Sequence, residues 1–495
     1  MLRSKRRIIV PVVIVGFWLV MMGLFLWREY GGSIPREPSA AQAAFVPQDQ
    51  WMGIYLNDDH RVGHLHLESE EATRDEVPGY LYRLEAALET KLFGVAAGMD
   101  ITGEAWSAAS GKIADFDFAL VSSGTRMGVK GRITDNRLQG FLDTGGQSIP
   151  LDFPFDSTQL LGGGMGLTAT SLPSLDAGES TKIDAFDPMT MKMAQATVTC
   201  VGKEEILIGG IPVEARIYET TQGSMTSRAW LDAEGGVLQA STPFGFTLRK
   251  IDPAALVIPV EVDENSDLIQ SLAITATGEA VSVDADRLVI RISGISPEKI
   301  PHDPPWQSLE GNVLTILRPT LPEGDDVPLD PGFDPTLYLG GDPFVTTEHP
   351  KIRAKAREIV GDEVDPWQQA LLLYTWIYDE IEKVPVLSVP NALDVLRTEA
   401  GDCNEHTVLY TALARSLAIP TRIAIGLVYS DTLEGFGYHA WPEVHVEGRW
   451  YPIDPTLGQI SADATHIKLF NGGIDAWIQL VAFIGQVELD VISAE

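Results

Sequence analysis

Polar and apolar residues alternate in short runs over the first half of the chain, most clearly in Phe116–Leu120 (FDFAL) and Val213–Tyr218 (VEARIY). A period of two places one face of a strand on a core and the other in solvent. Arg228–Leu231 and Val237–Gln239 flank Ala233-Glu234-Gly235-Gly236, which has the composition of a hairpin turn. Residues 45–251 therefore read as a β-rich antiparallel domain, a curved sheet or partial barrel. More short β-like runs follow, such as Arg287–Ile292, and Pro319–Phe344 is dense in Pro, Gly and Asp. Residues 252–344 thus read as a β-type segment leading into a linker.

The period then becomes helical. Asp365 is a predicted N-cap with Pro366 at the first helical position and Gln368 at the third, as in a capping box. Trp367, Ala370, Leu371, Tyr374, Ile377, Tyr378 and Ile381 fall on one apolar face. A shorter helix is predicted over Asn391–Glu399, closed by Gly401. A third begins around Cys403, with Val408, Leu409, Ala412, Leu413 and Leu417 facing inward and Pro420 ending it. Arg422–Tyr429 reads as a strand. His439–Val446 and Arg449–Asp454 read as a hairpin turning on Glu447-Gly448.

At the other end of the chain, Ile8–Trp27 carries no charge, follows Arg3, Lys5, Arg6 and Arg7, and stops at Arg28 and Glu29. That length spans a hydrocarbon core, and the positive flank keeps the N-terminus in the cytoplasm. Ala41-Gln42-Ala43 offers a small-x-small cleavage form, but the apolar run is longer than a signal-peptide core. The expectation is an uncleaved single-pass anchor (residues 1–30) in the cytoplasmic, or inner, membrane. A flexible linker (31–44) would then lead to a body on the periplasmic or extracytoplasmic side.

Composition changes this picture little. At 495 residues with 45% hydrophobic and 21% charged content, two or three globular domains are expected. The net charge of −33 argues against nucleic acid or anionic lipid as partners and favours solubility or a salty habitat. Cys200 and Cys403 are the two cysteines, too few for a disulfide framework. Leu161-Gly162-Gly163-Gly164-Met165-Gly166 has no following Lys-Ser/Thr, so it reads as a loop or bulge and not as a phosphate cradle.

Chemistry concentrates in residues 345–495. Cys403 falls in the first turn of its helix, where unpaired N–H groups and the dipole favour a thiolate and where its own N–H can face an oxyanion. If Glu447-Gly448 is the whole turn, Trp441 faces Asp454, and His439 and Asp454 are diagonal neighbours roughly 7–8 Å apart by Cα. Nucleophile, base and orienter are then within one small region. These residues, GDCNEHTVLYTALARSLAIPTR and YHAWPEVHVEGRWYPIDPT, resemble the transglutaminase-like family of papain-like thiol enzymes. A weaker likeness to bacterial membrane-anchored members continues through Ala462–Ile467. Ala418 and Thr421 stand where the family commonly has glycine and alanine.

The resemblance implies a catalytic domain at 345–495, with Cys403 attacking an amide carbonyl, His439 moving the proton and Asp454 holding the imidazole. With it, the expected fold class is α+β: a transmembrane helix, a β-rich antiparallel middle and a papain-like/transglutaminase-like α+β core. The expected activity is acyl transfer from a protein or peptide amide to an amine or water through a thioester, without cofactor or metal. The alternative is a catalytically idle scaffold of the cell envelope. A zinc set of Cys403, His406, His439 and His445 is the third reading. His406 otherwise reads as a surface or capping residue, and Trp441 and Trp450 as core or site wall. Asp402 and Glu405 lack a calcium-loop pattern.

Overall fold

A computed structural model describes residues 48–495, except 57–59, 93–94, 109–112, 123–124, 136, 145, 155–174, 188–191, 223–224, 234–235, 242–245, 258–259, 261–266, 323–332, 387–389 and 473–484. The chain divides into two compact units. One runs to Leu268 without Thr144–Gly146; the other comprises Thr144–Gly146 and Ile269–Glu495.

The first unit holds a single fourteen-stranded sheet among the described residues. It is a meander: successive strands from Gln48–Leu56 to Gln147–Pro154 are neighbours, as are those from Ser180–Asp187 to Phe246–Lys250. The first and last strands pair antiparallel, with Met52 opposite Lys250 and Leu56 opposite Phe246. Alternation in sequence becomes alternation in burial: in Thr125–Thr134, Met127, Val129, Gly131 and Ile133 point inward between more exposed neighbours. Leu65, Leu67 and Phe118 do the same on other strands. Each such apolar side chain removed from water contributes roughly 1.5–3 kcal/mol. The strands on either side of the expected Ala233–Gly236 turn do pair antiparallel, although the turn lies partly outside the described residues. The Leu161–Gly166 segment lies wholly outside them.

In the second unit, β1 (Arg287–Ser293), β2 (Gln307–Glu310) and β3 (Val313–Leu317) share a five-stranded sheet with the C-terminal strand Glu488–Ala494 and Thr277–Gly278. Four helices follow: α1 (Pro350–Val360), α2 (Pro366–Glu380), α3 (Ala392–Thr398) and α4 (Cys403–Ser416). Then come β4 (Thr421–Ser430), β5 (Gly435–Val446), β6 (Arg449–Pro452) and β7 (Ile467–Asn471), an antiparallel sheet in the order β6-β5-β4-β7. Helix α4 packs on β5 and β4 and against the other three helices. It is therefore buried all round, from Glu405 to Ala414, and not only on the Val408–Leu417 stripe. Asp365 caps α2 as expected, accepting from the Gln368 N–H at 2.8 Å. The buried face of α2 includes Leu373, while Tyr378 is exposed.

The α+β expectation is corrected, because the described residues are mostly β, 55% of them in strands and 18% helical. Strands dominate the first unit and also frame the helices of the second, which a helix-centred reading underweights. The expected membrane helix has no counterpart among the described residues. No helix among the described residues is long and apolar enough to cross a membrane, and Ile8–Trp27 and the 31–44 linker lie outside those residues.

Candidate functional site

The start of α4 is fixed by a reciprocal capping box. The Asp402 carboxylate accepts from the Asn404 N–H at 2.8 Å, and Glu405 Oε2 accepts from the Asp402 N–H at 3.0 Å. Such a cap contributes about 1 kcal/mol. Gly401 permits it, since a Cβ there would meet the Glu405 Cβ at 2.2 Å. Cys403 is thereby set at the first helical position. Its sulfur engages the backbone N–H of Ala440 on β5, and the Ala440 carbonyl accepts from Thr407 Oγ1 at 3.0 Å. The first turn of α4 is thus fastened to the residue next to His439.

The hairpin has the expected register. Val446 faces Arg449, Glu443 faces Pro452, and the Ile453 N–H donates to the Pro442 carbonyl at 3.0 Å. Continuing the register sets Trp441 opposite Asp454. His439 Nε2 lies 2.6 Å from Asp454 Oδ2. Asp454 is fully buried, and its Oδ1 accepts from the Thr456 and Leu457 N–H groups at 2.8 and 2.9 Å. Since an ionised carboxylate only accepts, His439 donates from Nε2 and Nδ1 is left for a second partner. The structure therefore pairs His439 with Asp454 and sets the Cys403 sulfur against the N–H of Ala440, the residue next to His439.

Two further residues, not singled out in the sequence, complete the site. His466, at the foot of β7, sets Nε2 3.1 Å from Asp454 Oδ2 and Nδ1 3.2 Å from Asp463 Oδ1. Asp463 is itself held by Thr465 Oγ1 at 2.6 Å and Gln459 Nε2 at 2.6 Å. Gly426, opposite His439, lets β7 approach: a Cβ there would meet the Ile467 carbonyl oxygen at 1.9 Å. The available signal was the polar Asp-x-Thr-His cluster directly ahead of the strand that begins at Ile467.

Electrostatics follow from this packing. Burial opposes charge on Asp454, but His439 and His466 hold its carboxyl far below the ordinary range. Burial likewise opposes charge on His466, yet its bonds to Asp454 and Asp463 push it up to about 9. The expectation of a resting Cys403 thiolate is corrected. Burial pushes the thiol well up, and Asp402 and Glu405 add to this, while the Ala440 hydrogen bond works the other way. Desolvation is the larger cause of the reversal, and the capping box adds to it by bringing two carboxylates beside the sulfur.

His406 is also corrected. It is fully buried, with Nδ1 2.7 Å from the Asp402 carbonyl oxygen, and so braces the turn below Cys403. His445 stacks on Phe333 with ring centroids 3.8 Å apart, six residues along β5 from His439, which is roughly 20 Å. A zinc set joining those two histidines cannot close. His439, Asp454 and His466 do offer ligand atoms within 4.8 Å of one another, but both histidines meet the same carboxylate oxygen at hydrogen-bond length. Asp402 and Glu405 are committed to the capping box.

Residues 353–455, which contain α4 and the hairpin, match the transglutaminase-like superfamily. The chain carries a transglutaminase-like domain. It has 33% identity over 86 residues to the kyphoscoliosis peptidase of Mus musculus, covering 15% of this chain and 12% of that relative, so the match spans about an eighth of the relative's length. Among solved structures, a protein from Cytophaga hutchinsonii provisionally described as a cysteine protease aligns over 44% of this chain and 81% of its own, at 18% identity and a TM-score of 0.28. A β-barrel-like protein of a domain of unknown function from Brucella abortus aligns over 42% of this chain and 95% of its own, at 13% identity and a TM-score of 0.27.

Proposed function

We propose that the chain is an acyl-transferring cysteine enzyme acting on protein or peptide amides. The observation that carries the reading is the His439 Nε2–Asp454 Oδ2 bond of 2.6 Å, which turns the imidazole so that Nδ1 is the nitrogen left for Cys403. Because the thiol is neutral at rest, His439 removes its proton as sulfur attacks the carbonyl carbon, in general-base fashion. The Cys403 N–H, at the first helical position, offers one donor to the oxyanion. Collapse of the tetrahedral intermediate expels the amine, which takes the proton from His439 and leaves a thioester on Cys403. An amine or a water then attacks that thioester, again with His439 as base.

The test incubates the full chain with a glutamine-containing peptide and a fluorescent primary amine, following ammonia release and peptide labelling. Either ammonia release or hydrolysis that disappears in Cys403→Ala supports the reading. Turnover that survives this substitution sinks it. A wild-type protein inert to peptide amides and to activated esters alike would favour the idle scaffold.

A further inference from the structure

We infer that His466 is a positioning residue of this site, fastening the buried Asp454 carboxylate by a hydrogen bond so that Asp454 orients His439 without taking its proton. The inference rests on reading Cys403, His439 and Asp454 as the reacting and orienting groups. Four facts lead to it.

The first is valence. Both ring nitrogens of His466 face carboxylate oxygens, Asp454 Oδ2 at 3.1 Å and Asp463 Oδ1 at 3.2 Å. Ionised carboxylates only accept, so both nitrogens must donate and the ring carries two protons. The second is saturation. Asp454 takes two side-chain donors on Oδ2 and two backbone N–H groups on Oδ1, and none of its surface is exposed. Removing one donor from a carboxylate in so dry a place leaves charge that water cannot reach.

The third is order of charge. His439, Asp454, His466 and Asp463 alternate along one buried chain. When His439 accepts the thiol proton, the cation at His466 makes Asp454 a poorer base, so the proton stays on the imidazole that must later give it to the leaving amine. The fourth is rigidity. Trp441, 1% exposed, stacks on the His439 ring at 6.0 Å and meets the His466 ring edge-on at 5.0 Å, fixing both planes at once. Asp463 is anchored in turn by Gln459, by Thr465 and by the Asp284 N–H at 3.2 Å. An orienting residue supported from behind in this way is held within the few tenths of an ångström that proton transfer tolerates.

The experiment compares two variants of similar size and polarity in the full chain. His466→Gln keeps an amide donor where Nε2 reaches Asp454; His466→Asn keeps one only where Nδ1 reaches Asp463. The readout is acetylation of Cys403 by p-nitrophenyl acetate, located by peptide mass so that Cys200 is counted separately, with the melting temperature of each variant as the check on folding. The Asn variant should lose on the order of 10- to 100-fold in rate while the Gln variant stays within about threefold, as for other outer residues that orient a reacting group. Equal rates in the two variants, whether both fast or both slow, overturn the inference, because the Asp454 bond would then not be what matters. His439→Ala separates the two levels of the reading. If it acetylates as fast as wild type, the proposed function itself falls. If it is dead while the Asn variant is fully active, only the role of His466 falls.

Discussion

Replacing His466 by Gln removes a titrating cation while retaining a donor toward Asp454, so the pH dependence of stability should change in a calculable way. In the folded chain the His466 pKa is about 9, raised from a reference value of 6.5 against the opposing effect of burial by bonds to Asp454 and Asp463. Below about pH 6.5 the ring is protonated in both folded and unfolded chains, and its contribution is fully present. Between the two values the folded chain binds the extra proton, so wild-type stability falls with rising pH by about 1.4 kcal/mol per unit. The 2.5-unit window corresponds to about 3 kcal/mol, lost by the time pH passes 9.

Asp454 and Asp463 have depressed values, so their contributions are present above the carboxylate range, disappear only in acid, and leave this window undisturbed. Pulse proteolysis in urea at several pH values, following cleavage within residues 269–495, measures the difference between wild type and variant. The expected difference is level below about pH 6, declines to pH 9 and then levels again. A difference that is flat across the window, or that grows with pH, would refute the assignment of a buried cation at His466.

Two further perturbations probe neighbouring parts of the site. Asp402→Asn keeps the cap acceptor but removes a carboxylate that raises the Cys403 thiol, so the pH midpoint of iodoacetamide alkylation at Cys403 should move down; an unchanged midpoint would show that Asp402 does not control the thiol. Glu443, 4% exposed, accepts from Lys468 Nζ at 2.9 Å through both oxygens and from Arg422 Nε at 2.5 Å. Glu443→Gln strips the charge facing two buried cations and should cost roughly 3–5 kcal/mol in the same urea experiment, whereas a loss under about 1 kcal/mol would mean the cluster is not electrostatically coupled.

Local code was legible in the sequence where it rests on a few neighbouring residues. The cap at Asp365, the two-residue turn at Glu447-Gly448 and the hairpin register are short-range features, each set by one side chain or one turn. That is why the pairing of His439 with Asp454 could be anticipated. The capping box at Asp402 and Glu405 is equally local, with its two acids three residues apart at the start of α4. Burial of the sulfur, which no local pattern encodes, is the main reason the Cys403 thiol lies well above its ordinary value.

What the sequence determined by itself was therefore the order of elements through the transglutaminase-like domain and the hairpin register that pairs His439 with Asp454. Only the tertiary structure decided what surrounds them. Arg287–Ser293 pairs with Glu488–Ala494 across about two hundred residues, and no periodicity encodes such a partner. His466 reaches Asp454 because β7 lies against β4 at Gly426, a contact set by the absence of a side chain on one strand and by packing on another. Burial all round α4 likewise depends on three helices and a sheet closing over it. Desolvation and hydrogen bonding set charge state, and both depend on which distant segments exclude water, so the electrostatics of the site belong to the fold and not to any stretch of sequence within it.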